Sequence, residues 1–278
     1  MLNKAFFSYK RLGDTLINSY INKLLKNNFT HFITIPNKKL CDSLNIKYQL
    51  VPINEIPYLI NLRNSYSNPY KLYSNTIDFM QITKSIFEKY QLYFPKKKIR
   101  EKYLFKNVEY IQFKKTQNIY LSYLNGLNKN LNELNLNFIK NSSKNISIFP
   151  KTSDTKKDIN QDFLMTFLSD NKLNNFDYNV YIFEDPLKNG YNKLNITYLK
   201  SFDDTINKIL DSRIVISADT LYSHLATFLG IPTICLFNHD NFYYSPLYSF
   251  INSTNLNIKK DNQTLTIKKL FNILIKIL

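Results

Sequence analysis

Glycine is scarce in this chain: four residues in 278, alongside no tryptophan, three histidines and two cysteines. Each shortage excludes something. Neither a Gly-x-Gly-x-x-Gly nor a Walker A loop occurs, so the sequence is neither an ordinary dinucleotide-binding fold nor a P-loop nucleotidase. Cys41 and Cys235 lie far apart and form neither a metal-site spacing nor a disulfide framework, as suits a reducing cytoplasm. There is no Asp-x-Asp pair, no His/Cys cluster with metal spacing and no serine elbow. No 18-residue apolar run marks a membrane-spanning helix. The opening Met-Leu-Asn-Lys-Ala-Phe-Phe lacks the apolar stretch and cleavage site of a signal peptide. A soluble protein of the cell interior is expected.

Asn, Lys, Ile, Tyr and Phe are abundant, which reads as the mark of an A/T-rich genome. Asn-rich stretches are therefore weak evidence for loops, and aromatics for ligand platforms. With 44% hydrophobic and 21% charged residues the chain is globular, and it is long enough for two domains. The formal net charge of +16 is uneven. Through residue 140 there are 22 Lys/Arg and 8 Asp/Glu; beyond it, 15 and 13. The excess in the first half points to an anionic partner: nucleic acid, an acidic membrane surface or a phosphorylated substrate. The densest run is Lys96-Lys97-Lys98-Ile99-Arg100-Glu101-Lys102, followed by Lys106, Lys114 and Lys115. No recognised RNA- or DNA-binding motif accompanies it.

Strands and helices alternate along the chain. Strands are expected at 5–9, 32–35, 48–51, 110–113, 146–149, 180–183, 196–199, 214–217 and 233–237. Helices are expected from Leu16 to Leu25, after Pro36 through Leu44, and at 72–90, 119–136, 162–168, 203–210 and 265–278. Such alternation implies α/β architecture with parallel sheets. The polar stretch 140–145 is the natural link between a first domain, 1–142, and a second, 143–278.

The most informative segment is 213–237, in which a buried strand turns into a short helix, stops at Gly230-Ile-Pro and continues as a second buried strand. Asp219, Thr220 and His224 sit where the first strand hands over to the helix, the edge at which open α/β sheets bind ligands. Asp219 or Thr220 also suits a helix N-cap, and a helix start attracts phosphate. Gly13-Asp14 follows the first strand in the same way, with Asp14 either a cap or a general base for a hydroxyl nucleophile. A third loop, Pro150-Lys-Thr-Ser-Asp-Thr-Lys-Lys-Asp158, offers hydroxyl and ammonium donors to phosphates.

Arg11-Leu12-Gly13-Asp14-Thr15-Leu16-Ile17 resembles the opening motif of glycosyltransferase family 9, the ADP-heptose:lipopolysaccharide heptosyltransferases. Ser217-Ala-Asp-Thr-Leu-Tyr-Ser-His-Leu-Ala226, with Gly230-Ile-Pro-Thr and Leu236-Phe237, is similar to that family's second hallmark, and Thr152 to Lys156 to its phosphate loop. The resemblance implies a GT-B fold, two Rossmann-like domains facing each other across a cleft. It implies an inverting, metal-independent transferase that moves heptose from ADP-heptose, with no further cofactor, to an acidic glycolipid such as the lipopolysaccharide core. Asp14 is then the base that deprotonates the acceptor hydroxyl, and Lys10 and Arg11 meet the acceptor. Lys156 (or, one register off, Lys157) and Thr152 hold the phosphates, Asp219 the donor sugar's hydroxyls, Thr220 and His224 the diphosphate, and Glu184 the ribose. The expected location is the cytoplasm, with peripheral contact to the anionic face of the inner membrane, and no nucleic acid is expected. Leu221 stands where the family usually has a small residue, Lys151-Thr152-Ser153 where it is Gly-rich, and Asn238 where it has Gly. The alternatives are a catalytically inactive member and a basic protein that binds nucleic acid or glycan.

Overall fold

A computed structural model describes residues 2–9, 12–53, 79–94, 105, 107–111, 118–129, 142–170, 175–183, 191, 194–238, 254–258 and 263–277. The chain divides into two compact units: Met1–Lys114 with Leu121–Leu134, and Lys115–Tyr120 with Asn135–Leu278.

The first unit carries β1 (Asn3–Ser8), α1 (Leu12–Leu24), β2 (Thr30–Thr34), α2 (Lys38–Ser43), β3 (Gln49–Val51), a helical stretch α3 at 79–87, β4 (Tyr90–Phe94) and β5 (Val108–Tyr110). Helix α4 (Ile119–Gly126) begins in the second unit's share of the chain and ends in the first's. The sheet order is β3-β2-β1-β4-β5 with every ladder parallel. One sheet face is lined by aromatics. Phe7, Tyr9, Phe32, Phe79, Phe87, Phe94 and Phe105 form one buried cluster, with Phe7 4.8 Å from Phe87 and 5.8 Å from Phe105 between ring centroids. Such off-parallel ring pairs add to the burial itself.

In the second unit β6 (Asn145–Phe149), α5 (Gln161–Ser169), β7 (Asp177–Phe183), β8 (Ile196–Leu199), α6 (Phe202–Leu210), β9 (Ile214–Ala218), α7 (Leu221–Leu229), β10 (Thr233–Phe237), β11 (Thr254–Asn257) and α8 (Gln263–Ile277) follow in order. The sheet order is β11-β10-β9-β6-β7-β8, again all parallel. β9 and β10 are buried along their whole length, which is why they read as near-continuous apolar runs with only Ser217 and Thr233 polar. Ile146, Ile148, Ile214, Ile216, Ile234 and Leu236 point to the face covered by Phe163, Leu164 and Phe167 of α5 and by Leu270, Phe271 and Leu274 of α8. Among the described residues no helix is long and apolar enough to cross a membrane.

Three expectations are corrected. The helix expected over 72–90 stops at 87, and Tyr90–Phe94 is a strand paired with β1, Asn3 facing Tyr90. Its aromatic content favours a pleated, half-buried setting over a further helical turn. The helix expected over 119–136 ends at Gly126, followed by Asn128 in the left-handed region at φ 54°. The strand expected at 110–113 spans Val108–Tyr110, while 112 and 113 lie outside the described residues. The basic stretch 96–102, with Lys106, Lys114 and Lys115, also lies outside them.

Gly230 ends α7 at φ 77°, ψ 21°, with the Ile231 N–H returning to the Ala226 carbonyl at 2.9 Å. This left-handed stop disfavours a Cβ. Gly230→Ala is expected to destabilise the second unit by about 1–2 kcal/mol, read as a lower urea midpoint with an unchanged slope. A midpoint equal to wild type would show that the turn carries no such strain.

Candidate functional site

In each sheet the chain reverses its direction of progress once. In the second unit it runs outward from β6 through β7 to β8, then starts again on the other side of β6 with β9, β10 and β11. β6 and β9 are hydrogen-bonded neighbours, Phe149 facing Ser217. Because the strands are parallel, the loops leaving them emerge at one edge, the switch point at which open α/β sheets bind ligands. The loop after β6 is 150–160; the turn after β9 is Asp219-Thr220. In the first unit the same reversal falls between β1 and β4, and α1 follows β1.

The loop after β6 is held from within. The Asp158 carboxylate accepts the Thr152 N–H at 2.7 Å and the Lys151 ammonium at 2.9 Å. The Thr152 hydroxyl donates to the Asp154 carbonyl and accepts the Asp154 N–H at 2.9 Å, so it shapes the turn. Asp154 caps a single 3₁₀ turn, Thr155–Lys157. That turn sends consecutive lysines different ways: Lys156 is exposed, whereas the Lys157 ammonium pairs with the Asp219 carboxylate. The Asp219 side chain is only 7% exposed, so its charge sits in a nearly dry setting where an opposite charge counts for more than at the surface. Lys151 also lies over the Tyr191 ring, 5.3 Å from its centroid. Lys151, Thr155, Asp158 and Tyr191, together with Asn160 and Asn238, border an open cavity of about 560 Å³ on the Lys151 side of this loop.

Thr220 is the N-cap residue of α7, but its side chain makes no capping hydrogen bond. Asp219 precedes it. The Ser223 hydroxyl donates to the Thr220 carbonyl at 2.8 Å. The first N–H groups of α7 therefore take no side-chain cap from Thr220, the arrangement in which a helix start can receive an anion. Tyr222 stacks on Phe149, centroids 4.7 Å apart and planes at 25°, which ties the first turn of α7 to the end of β6. Burial pushes the Tyr222 hydroxyl up to about 12.

His224 is 5% exposed, and its Nδ1 lies 2.8 Å from the Tyr120 hydroxyl. Burial is the main cause of its pKa falling to about 4; Asp219 pulls it upward and Lys157 downward. At neutral pH the ring is uncharged, a hydrogen-bonding group and not a cation. Tyr120 drew no notice in the sequence, where it is one of 21 tyrosines and 104 residues distant.

In the first unit Asp14 is the third residue of α1, half-buried, and so lies inside the first turn without being its cap. Gly13 is likewise within the helix. Beneath this turn runs a buried polar chain. Asn18 Nδ2 donates to Ser8 Oγ at 2.8 Å, Ser8 Oγ meets His31 Nε2 at 2.8 Å, and Tyr123 donates to Asn18 Oδ1 at 2.6 Å. Ser19 Oγ lies 3.3 Å from His31 Nδ1 and donates to the Thr15 carbonyl at 2.7 Å. It fixes α1 against the ends of β1 and β2 with every named partner satisfied. Burial lowers the His31 pKa to about 3. Lys10, Arg11 and Glu184 lie outside the described residues. Lys157, Asp219, Thr220 and His224 are thus gathered at one sheet edge, with the Thr152 loop beside them, and Asp14 belongs to the other unit.

No family model matches the sequence, and no curated protein matches it. Solved structures do. The heptosyltransferase WaaC of E. coli with ADP superposes with a TM-score of 0.67 at 10% identity, covering 99% of each chain. The same enzyme with ADP-2-deoxy-2-fluoro heptose gives 0.63 at 10% identity, covering 98% of this chain and 99% of that one. A family 9 glycosyltransferase from Veillonella parvula DSM 2008 gives 0.66 at 12% identity, covering 99% and 98%. The chain shares the α/β fold of these glycosyltransferases along nearly its whole length.

The two buried histidines have a measurable consequence. Their folded pKa values, about 4 and about 3, lie below the value near 6.5 of an unfolded chain. Above pH 6.5 neither costs stability; as pH falls below it the unfolded chain takes up protons that the folded chain refuses. Stability should therefore fall by up to about 1.4 kcal/mol per pH unit for each histidine. Urea midpoints between pH 6.5 and 5, above most carboxylate titration, should show this slope in wild type. His31→Gln and His224→Gln should each flatten it, and slopes equal to wild type would sink the assignment.

Proposed function

We propose that this protein is a glycosyltransferase that takes a sugar from a nucleoside-diphosphate donor held at the β6–β9 edge. The observation that carries the reading is the Lys157–Asp219 ion pair beside the neutral His224, at an α7 start that Thr220 does not cap with its side chain. Support comes from the shared fold with heptosyltransferases whose structures hold ADP and an ADP-heptose analogue, and from the three sequence motifs in family order. We take ADP-heptose as donor and a phosphate- or carboxylate-bearing glycolipid, such as the lipopolysaccharide core, as acceptor. The positive first half of the chain suits such an acceptor and an anionic inner-membrane face.

In this mechanism Asp14 accepts the proton of the acceptor hydroxyl. The freed oxygen attacks the donor's anomeric carbon from the face opposite the leaving group, and the bond from that carbon to the β-phosphate oxygen breaks. Configuration inverts, and the nucleoside diphosphate leaves with the electron pair. One carboxylate suffices for one displacement, so neither a second catalytic carboxylate nor a metal is needed. Lys157 turns from Asp219 to the phosphates and balances the charge that grows on the leaving oxygen. The α7 N–H groups and His224 donate to the same phosphates, while Asp219 is released to accept hydroxyls of the sugar. Lys156 is near enough in sequence to reach a phosphate from the exposed side of the turn. Glu184 is assigned to the ribose, and Lys10 and Arg11 to the acceptor, on the resemblance alone.

Calorimetric titration with ADP, UDP, GDP and CMP should give binding, tightest for ADP. Lys157→Met should weaken ADP by tenfold to a hundredfold, the usual worth of a charged hydrogen bond, about 1.5–3 kcal/mol. No binding of any of the four nucleotides to the wild-type chain would reject a donor site here. Asp14→Asn should lower kcat for transfer by about 10²- to 10⁴-fold while leaving ADP affinity as it is. Full transfer activity in that variant would remove Asp14 from the mechanism.

A further inference from the structure

His224 and Tyr120 meet inside the second unit through a contact that no sequence motif announces. Tyr120 is completely buried, and its hydroxyl lies 2.8 Å from His224 Nδ1, with the rings 5.9 Å apart and inclined at 50°. The tyrosine is itself fixed. The Asn118 side chain accepts the Tyr120 N–H at 2.8 Å, which anchors the first turn of α4. A phenol is a better donor than acceptor, and the unprotonated nitrogen of a neutral imidazole is a strong acceptor. The favoured arrangement is therefore Tyr120 O–H donating to Nδ1. A neutral imidazole carries a single N–H, and the hydrogen bond made by one nitrogen decides which nitrogen bears it.

We propose that Tyr120 is a positioning residue for the donor site. By donating to Nδ1 it holds His224 as the Nε2–H tautomer, so that Nε2–H is presented as a hydrogen-bond donor to a phosphate oxygen of the ligand. The proposal rests on the donor-site reading given above and adds to it a residue from the far side of the sequence. Burial supplies the other half of the device: with its pKa near 4 the ring is neutral across the working pH range, so without Tyr120 both tautomers compete. In the Nδ1–H form Nε2 is a lone-pair acceptor, which repels a phosphate oxygen. Tyr120 has no need to touch the ligand. It acts through the ring of His224, and the side chains of Lys157 and Asp219 are left as they are.

The test uses the full chain labelled with ¹⁵N-histidine. Long-range ¹H–¹⁵N correlation spectra of the ligand-free protein separate the two tautomers, and with three histidines in the chain single substitutions assign them. His224 should be the Nε2–H tautomer in wild type and a mixture in Tyr120→Phe. ADP should bind the Tyr120→Phe variant about tenfold more weakly, a loss of about 1.4 kcal/mol. In a His224→Phe background, adding Tyr120→Phe should change ADP affinity no further. A purely structural tyrosine would leave the tautomer alone. An Nδ1–H tautomer in wild type, or one tautomer with undiminished ADP affinity in Tyr120→Phe, overturns the proposal. The wild-type spectrum, assigned by the histidine substitutions, does not depend on the tyrosine variant, so a poorly folded Tyr120→Phe still leaves the wild-type tautomer as a decisive result. A wild-type chain with the Nε2–H tautomer that binds no nucleoside diphosphate overturns the donor reading, and the phosphate role of His224 with it.

Discussion

The pairing of β6 with β9 is the constraint on which the chemistry of the second unit depends. A parallel sheet cannot join neighbouring strands by a tight turn, so the residues leaving β6 and those leaving β9 come from distant parts of the chain. Ile146 faces Ile214 and Phe149 faces Ser217. Once that register is set, Lys157 and Asp219 need only the length of their own turns to meet. Phe149 and Tyr222 stack across the same step, an apolar contact that fixes the first turn of α7 against the β6 end. The ion pair is thus placed by backbone pairing and aromatic packing, and its charges have little say in where they sit.

The two units treat a buried histidine in contrasting ways. His31 has hydroxyl partners at both ring nitrogens, Ser8 and Ser19, and works as a strut between β1, β2 and α1. His224 has one named hydrogen-bonding partner, Tyr120, and stands a turn away from a charged pair. Both rings are kept neutral by burial. A ring pinned on both sides serves architecture, whereas one pinned on a single side can serve a ligand.

Much of the second unit was legible because its central strands β6, β9 and β10 are buried on both faces. Ile214–Ala218 and Thr233–Phe237 are short, largely apolar runs, interrupted only by Ser217 and Thr233, and Gly230-Ile-Pro between them is an unmistakable stop. The strand at Tyr90–Phe94 was hidden because its aromatics also extend the helical spacing of the residues before it. Which lysine of Lys156-Lys157 faces Asp219 depends on a single 3₁₀ turn capped by Asp154, and a one-residue rotation of that kind leaves no trace in composition. Tyr120 was invisible for a different reason. Its role depends on a contact at a sequence separation of 104, and periodicity reports only on neighbours. The sequence offers Asp219 or Thr220 as the cap of α7; Thr220 takes that position, but a cap is recognised in sequence by residue type and here the side chain makes no capping bond.

The all-parallel ladders also govern how this chain comes to be folded. All nine strand pairings among the described residues are parallel, so none can form as a local hairpin. Each must wait until the chain between its strands has closed a long loop, and that entropy is spent before any contact repays it. Contact order of this kind places folding at the slow end of the scale for domains of this size. It also leaves early apolar strands such as Asn145–Phe149 without their later partner, Ile214–Ala218, while the intervening chain is being made. The sheet edge that gathers Lys157, Asp219 and His224 therefore cannot be preassembled from a local segment, because it exists only after β9 has found β6.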